Sequence, residues 1–301
     1  MAYGFYIILF LFGLGMGSFL NVLSIRYNPD GKLFDMKRLG GRSHCMHCNH
    51  GLRWFDLLPL VSFILLAGRC RYCGKSIAWQ YPLVELLSGL VFLVTPIYLN
   101  SFYSINTESF LSFDAPLLYY SLVILWILVL FTLLAMSVID IREYLIPNEL
   151  NLLLGIFGVL ITVILSLEPI FVSPLRQSFF RHYSLMFSSS QNILLMHLLG
   201  MIVGGLLFGL LAFSSRGRAM GYGDVKLGLA AGIALGWPDI VLAMILSFIL
   251  GGLAGVSLIL SKKKSMRDLL PFAPFFVLGF VITFFFGAEL LNGYFSAFGV
   301  V

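Results

Sequence analysis

The chain has 301 residues, of which 59% are hydrophobic and only 11% are charged, and its mean hydropathy is +0.97. Soluble domains carry about 25% charged residues, so this composition excludes a soluble protein and predicts one that crosses a membrane several times. The net charge of +5 does not indicate nucleic acid, because the basic residues fall between the apolar runs. We therefore expect membrane lipid, and no nucleic acid, as a partner.

Eight apolar stretches are candidate membrane spans, since a helix needs roughly 20 apolar residues to cross about 30 Å of hydrocarbon. The first is expected to stay as a membrane helix and not to be a cleaved signal peptide, because no Lys or Arg precedes Arg26. The sixth would rise only about 20 Å, so it either begins below the interface or has an irregular N-terminal end lining a wet cavity. We predict an all-α polytopic membrane protein of about eight transmembrane helices, with spans at 3–25, 79–99, 116–139, 150–168, 193–213, 225–237, 240–260 and 269–289.

The distribution of Lys and Arg predicts the orientation, because cytoplasmic loops are enriched in these residues. With eight spans, 17 of the 19 basic residues fall on one side, and only Arg176 and Arg181 fall on the other. Asp140 and Asp224 lie at the side rich in basic residues. The sequence therefore predicts a multi-pass protein of the cytoplasmic (inner) membrane, with both termini outside and the two aspartates facing the cytoplasm.

Loop 26–78 holds all four cysteines, as two CxxC pairs separated by 21 residues. Each pair can place two thiolates on one ion, and two pairs close a tetrahedral site. Thiols that face the cytoplasm stay reduced, which disfavours disulfides. We predict a structural Zn²⁺ bound by Cys45, Cys48, Cys70 and Cys73. The chain is accordingly divided into a first membrane helix (1–25), a cytoplasmic zinc loop (26–78) and a helical bundle with the aspartate pair (79–301).

Two aspartates occur where an apolar segment meets the membrane surface. Asp140 ends a run of 24 uncharged residues, and Asp224 follows Gly221 and Gly223 at the start of the short sixth stretch. Carboxylates near membrane depth are costly and therefore indicate function. If the two lie close together they share one proton, and the pair can activate a water molecule. The glycines permit positive φ and let a substrate backbone approach closely.

Two further polar residues lie in apolar surroundings. Glu85 is in the second span and should face the bundle interior, because a lone glutamate facing lipid is improbable. The sequence leaves open whether Glu85 is catalytic or only pairs with Lys226 or Arg26. Asn21 ends the first span after a series of glycines, which also fits a helix-packing seam.

Five sequence blocks stand in order from residue 17 to residue 275. They are Gly17-Ser18-Phe19-Leu20-Asn21-Val22 with Arg26; the double CxxC followed by Tyr81-Pro82-Leu83-Val84-Glu85; Asp140-Ile141-Arg142 with Ile146-Pro147-Asn148; Gly221-Tyr222-Gly223-Asp224-Val225-Lys226; and Pro271-Phe272-Ala273-Pro274-Phe275. Together they resemble the signature of the prepilin peptidases, the leader peptidases of type IV pilins and type II secretion pseudopilins. The last block departs from the family in having Ala273 where glycine is usual.

The resemblance implies a membrane aspartic endopeptidase that removes the short basic leader from type IV prepilins or pseudopilins at the cytoplasmic membrane face. It carries the catalytic role over to Asp140 and Asp224, and the residues expected to contact substrate are Gly221, Gly223, Glu85 and Lys226. It also implies N-methylation of the new N-terminus with S-adenosylmethionine, which the cysteine tetrad favours in this family. The chain has no soluble Rossmann-type unit that would support this second activity independently.

Two other functions compete with this interpretation. An ion-coupled transporter or proton relay would use Asp140, Glu85 and Asp224 to line a path through the membrane. Against this hypothesis, no internal repeat is visible and both aspartates cluster at one face. A zinc-ribbon scaffold without catalysis would leave the glycine-flanked Asp224 unexplained.

Overall fold

The computed structural model describes residues 2–29, 31, 33, 35, 40–103, 115–167, 178–187, 192–217, 220–265 and 268–299. These residues form α-helices, short 3₁₀ helices and turns, and β-structure among them is limited to two isolated bridges. The predicted all-α fold is confirmed. Six of the basic residues used to predict the orientation lie outside the described residues, namely Lys32, Lys37, Arg38, Arg176, Arg218 and Arg267.

Ten α-helices are found in this part of the chain. In order they are α1 (Ala2–Arg26), α2 (Val61–Leu65), α3 (Gln80–Tyr103), α4 (Ala115–Glu143), α5 (Asn148–Leu167), α6 (Ser184–Phe187), α7 (Ile193–Ser214), α8 (Tyr222–Leu235), α9 (Asp239–Leu260) and α10 (Ala273–Ala297). Two 3₁₀ helices, Trp54–Leu57 and Arg181–Tyr183, precede α2 and α6. Seven helices, all except α2, α6 and α8, are long and apolar enough to cross a membrane. The chain is therefore a multi-pass membrane protein.

Helix α8 corresponds to the short sixth stretch of the sequence. It has 14 residues and so rises about 21 Å, less than the roughly 30 Å of bilayer hydrocarbon. The stretch forms a regular helix from Tyr222 to Leu235, and the position of its start relative to the membrane interface stays a prediction. Gly221 has extended backbone angles and Tyr222 is the first helical residue, so Asp224 lies in the first turn of α8.

The chain divides into two compact units, Met1–Ile97 and Tyr98–Val301. In the first unit, α1 packs closely against α3. A Cβ atom added to Gly13 would lie 2.9 Å from the Cα of Gly89, and the Ser88 hydroxyl donates to the Gly13 carbonyl oxygen at 2.7 Å. Small residues allow such a close approach between membrane helices. The predicted packing seam in the first span is confirmed at this position.

In the second unit, α8 lies against α5 and α7. Its contact with α7 depends on pairs of facing glycines. A Cβ atom on Gly228 would lie 2.6 Å from the Gly204 carbonyl oxygen, and one on Gly200 would lie 2.5 Å from the carbonyl oxygen of Gly232. No larger residue fits these positions without separating the helices, so the glycine contact determines where α8 and its Asp224 lie.

Helices α4, α9 and α10 complete the second unit, with α10 packed on both of the others. The rings of Trp126, Phe179 and Phe284 meet with centroid separations of 4.5 to 5.2 Å. Asp239, the fully buried first residue of α9, accepts hydrogen bonds from the Ser178 hydroxyl at 2.8 Å and the Phe179 N–H at 3.2 Å. Asp239 thus joins α9 to the segment at Phe179, whose ring packs on α10, and the N-terminal end of α10 reaches Asp140.

Candidate active site and metal centre

Asp140 lies in the last turn of α4 and is only 5% exposed. Its Oδ2 accepts a hydrogen bond from the backbone N–H of Ala273, the first residue of α10, at 2.9 Å. The first N–H groups of a helix have no partner within the helix, and this end of the helix dipole attracts negative charge. Helix α10 therefore orients the Asp140 carboxylate. Because the donor is a backbone group, alanine in place of the family's usual glycine leaves the contact intact.

Asp224 lies in the first turn of α8, outside the seven long spans. Its Oδ2 accepts a hydrogen bond from the Gly221 N–H at 3.1 Å. Burial raises the pKa of Asp224 to about 6; the Gly221 hydrogen bond opposes this shift and the negative charge of Asp140 adds to it. The two carboxylates thus lie close enough for the charge of Asp140 to favour the protonated form of Asp224.

The backbone around Asp224 differs from the expectation in one respect. Neither Gly221 nor Gly223 has positive φ, and Gly221 has a φ of −77°. These glycines permit positive φ, but neither of them uses it in this structure. Their other predicted role, close approach of a substrate backbone, stays a prediction.

Lys226 and Asn151 tie the first turn of α8 to α5. The Lys226 Nζ donates to the Asn148 side-chain oxygen at 2.6 Å, and the Asn151 Nδ2 donates to the Gly223 carbonyl oxygen at 3.4 Å. Gly221, Gly223 and Lys226 thus lie with Asp224 at the start of α8 in the second unit, and Lys226 bonds to Asn148.

Sequence reasoning did not single out Asn151, although it is a polar side chain on an otherwise apolar helix. It is 5% exposed, and its Oδ1 accepts no hydrogen bond from any described residue. A buried acceptor without a partner beside the aspartate pair is suited to a substrate N–H or a water molecule. The available signal was its spacing, one helical turn after Asn148 in the block that follows Asp140.

The two CxxC pairs adopt the same backbone arrangement. The N–H of Cys45 and of Cys70 donates to the carbonyl oxygen of the residue five positions later, at 3.0 and 2.8 Å. The residue four positions later donates back at 2.9 Å in both cases and has positive φ, 55° at Asn49 and 69° at Gly74. Each pair is therefore a tight turn that brings its two thiols to one side.

The four thiols form one candidate metal site. The ligand atoms of Cys45, Cys48, Cys70 and Cys73 all lie within 4.8 Å of one another, and no disulfide joins them. A tetrahedral ion with Zn–S distances of about 2.3 Å needs sulfurs about 3.8 Å apart, and the Sγ atoms of Cys45 and Cys73 are 4.0 Å apart. Burial raises the pKa of Cys45. Hydrogen bonds from the backbone of His47 and Cys48 have the opposite and larger effect, so that the pKa is lowered to about 7. The predicted clustering is confirmed, while the identity of the metal stays a prediction.

Glu85 belongs to the first unit, in the second turn of α3, where it is 9% exposed. Its Oε2 accepts a hydrogen bond from the Leu60 N–H at 2.9 Å, and the Ser18 side chain also bonds to this carboxylate. Neither partner is a cation, and Lys226, one of the partners considered from the sequence, bonds to Asn148 instead. Glu85 therefore fastens the cysteine loop to α3.

Two family profiles match the chain in succession. Residues 11–99 match the bacterial peptidase A24 N-terminal domain, and residues 126–256 match the type IV leader peptidase family. The first segment contains the four cysteines and Glu85. The second contains Asp140, Asp224 and the glycines beside them, so each candidate site falls within one matched segment.

The chain is also similar to whole proteins over nearly its full length. The prepilin leader peptidase/N-methyltransferase of Dickeya chrysanthemi is 30% identical, with 88% of this chain and 87% of the relative covered. That of Aeromonas hydrophila is 28% identical, with 98% and 95% covered, and that of Bacillus subtilis (strain 168) is 26% identical, with 95% and 96% covered. No solved structure matches. None of these relatives supports the transporter hypothesis. The chain belongs to the type IV leader peptidase family.

Proposed function

We propose that this protein is a membrane aspartic endopeptidase that removes the short basic leader from type IV prepilins or pseudopilins, and that it also N-methylates the new N-terminus. The observation that carries the peptidase half is the carboxylate pair. Asp140 and Asp224 come from different helices, each is held by a backbone N–H, and the charge of one raises the pKa of the other. Relatives named for both activities support the proposal.

The two aspartates have different surroundings, which suits them to different roles. The N-terminal N–H of α10 stabilises negative charge on Asp140, so Asp140 is the ionised general base. Burial and the charge of Asp140 raise the pKa of Asp224 to about 6, so Asp224 is the member that keeps the shared proton. Two carboxyl groups that share one proton can divide the acid and base roles in this way.

Hydrolysis then follows from these roles. Asp140 takes a proton from a water molecule whose oxygen bonds to the scissile carbonyl carbon, while Asp224 gives its proton to the carbonyl oxygen. The proton on Asp140 passes to the leaving nitrogen and the C–N bond breaks. A hydroxyl proton returns to Asp224 as the new carboxyl group forms, so both aspartates regain their starting states.

The substrate backbone lies against the first turn of α8 in this proposal. Gly221 and Gly223 present bare backbone just before Asp224, and Lys226 is the cation two residues after it. The basic loops predict that both termini are outside and that the pair faces the cytoplasm. A cytoplasmic prepilin leader would then meet the pair at the inner-membrane face.

The methyl-transfer half belongs to the first unit, which holds the cysteine tetrad. The sulfur spacing suits a structural Zn²⁺, which would hold the two CxxC turns together. S-adenosylmethionine, when bound, supplies the methyl group. The residues of this chain that would serve that reaction are those that fix the loop on α3, Glu85 foremost among them.

The test of the peptidase half compares Asp140→Asn and Asp224→Asn with wild-type protein on a model prepilin, with product N-termini identified by mass. Asparagine keeps the shape of the side chain but cannot exchange the proton, so cleavage should fall by about 10²–10⁴-fold. Glu143→Gln is the matched control, because it removes a carboxylate one turn from Asp140 on the same helix. Near wild-type cleavage by either aspartate variant would refute the paired mechanism.

A further inference from the structure

A cavity of about 310 Å³ lies within the first unit, where the end of α1, the cysteine loop and the start of α3 meet. Most of its lining is apolar, with Val22, Phe63 and Ile77 among the contributors. Cavities of this size that are mostly apolar and carry a few polar groups are typical of small-molecule sites. Asp140 and Asp224 are not among the residues that line it.

One polar atom in the lining has no hydrogen-bond partner among the described residues. Asn21 lines the cavity and is 2% exposed. Its Nδ2 donates to the Tyr81 carbonyl oxygen at 3.1 Å, which determines that the other end of the amide is the oxygen. That oxygen, Oδ1, is buried and accepts no hydrogen bond from any described residue. Buried acceptors are normally paired, so this one is suited to a donor brought by a ligand.

The cavity also holds a buried carboxyl group that has no cationic partner among the described residues. Glu85 lines it, and the partners of its carboxylate are the Leu60 N–H and the Ser18 side chain, neither of them cationic. A buried carboxylate is stabilised by an opposite charge. Asn21 and Glu85 together therefore favour a ligand that carries positive charge and N–H donors.

Positively charged side chains are present in the same lining. Arg26 and Lys75 also border the cavity and would suit a ligand carboxylate. The lining thus combines an apolar wall, two oxygen acceptors and nearby cations. This combination matches a ligand in which a flat heterocycle is joined to a cationic amino acid.

We propose that this cavity binds the methyl donor of N-methylation, an adenosyl sulfonium amino acid, with Asn21 as its hydrogen-bond acceptor and Glu85 as its counter-charge. The inference rests on the proposed methyl transfer. When bound, such a donor would supply the methyl group: the amine lone pair forms the N–C bond, the electrons of the broken C–S bond stay on sulfur, and the amine gives one proton to solvent water. Cys45 and Cys70 also border the cavity, so the metal site forms part of its wall.

Binding of S-adenosylmethionine and of S-adenosylhomocysteine to the full-length protein, measured by calorimetry, tests the proposal without relying on turnover. Asn21→Leu keeps the branched shape of the side chain but removes the acceptor, together with the donor to Tyr81, and should weaken binding at least tenfold. Thr95→Val is the matched control, because the Thr95 hydroxyl is also buried without a partner among the described residues but lies outside the cavity lining. It should leave the Kd unchanged.

A second variant covers the possibility that Asn21→Leu disturbs α1. Ala78 is exposed and lines the cavity, so Ala78→Phe should fill the space and abolish binding without changing a helix. Leader cleavage on the same preparations should stay at the wild-type rate. Unchanged affinity in both variants, with methylation intact, would overturn the proposed site but not the methyl transfer. A wild-type protein that neither binds the donor nor methylates would refute both.

Discussion

Replacing Gly228 with alanine should separate α8 from α7 and lower the rate of leader cleavage. The added Cβ would lie 2.6 Å from the Gly204 carbonyl oxygen and 2.6 Å from a ring carbon of Phe208, whereas ordinary contact begins at 3.4 Å. The carbonyl oxygen belongs to helix backbone and cannot rotate away. Relief of the clash therefore needs an outward shift of about 0.8 Å, the difference between 3.4 and 2.6 Å.

Two effects of this shift can be estimated. Overpacking of this kind typically costs about 1–3 kcal/mol of folding free energy. Asp224 lies one helical turn before Gly228 on the same helix, so the shift reaches the carboxylate. A displacement of about 1 Å in a catalytic group can lower a rate by about 10²-fold, and we expect a loss of about ten- to a hundredfold here.

Gly252→Ala in α9 provides the control. A Cβ atom at Gly252 would meet nothing within 4 Å, and alanine is the better helix former, so this variant should be at least as stable as wild type. Thermal unfolding in detergent and initial rates of leader cleavage would be measured for both variants. If Gly228→Ala matched Gly252→Ala in stability and in rate, the close contact between α7 and α8 would not determine the position of Asp224.

Three further outcomes are expected. Burial raises the pKa of Asp224 from 3.8 to about 6, so folding favours the neutral carboxyl group. The contribution of this group to the stability of the fold is present at pH 4 and is lost as the pH rises to 6. Asp224→Asn should therefore unfold at a higher temperature than wild type at pH 7.5 but not at pH 4; equal behaviour at both pH values would contradict the shift. Elemental analysis of reduced, chelator-free protein should find about one zinc per chain, and a mapped disulfide within the tetrad would argue against it. Replacing Cys70 and Cys73 with serine should lower methylation before cleavage in assays of one preparation, whereas earlier loss of cleavage would make the loop part of the protease.

The long spans and the chemistry of the sites were predictable because both depend on local composition. Runs of apolar residues identify membrane helices whatever they pack against, and the spacing within each CxxC already determines that two thiols can face one ion. Asp140 and Asp224 stood out because carboxylates are rare next to such runs. The structure adds that the charge of one acts on the other.

The partners of these groups were not predictable, because they come from distant parts of the chain. Nothing near Asp140 in the sequence indicates that the Ala273 N–H, 133 residues away, would hold its carboxylate. Lys226 was considered as a partner of Glu85 but bonds to Asn148 across two helices of the second unit. Glycine next to a catalytic residue suggested positive φ, yet Gly221 and Gly223 lack it, since a helix start can also use glycine.

Helix α8 makes the second unit sensitive to the thickness of the surrounding lipid. Its neighbours α5 and α7 have 20 and 22 residues, while α8 has 14, so its length of about 21 Å leaves about 9 Å of a typical hydrocarbon layer unmatched. The bilayer beside it must thin, or water and polar groups must fill the missing length. Lipids with shorter acyl chains reduce this mismatch and those with longer chains increase it. Membrane composition therefore alters how deeply a water molecule and a peptide bond must enter to reach the start of this helix.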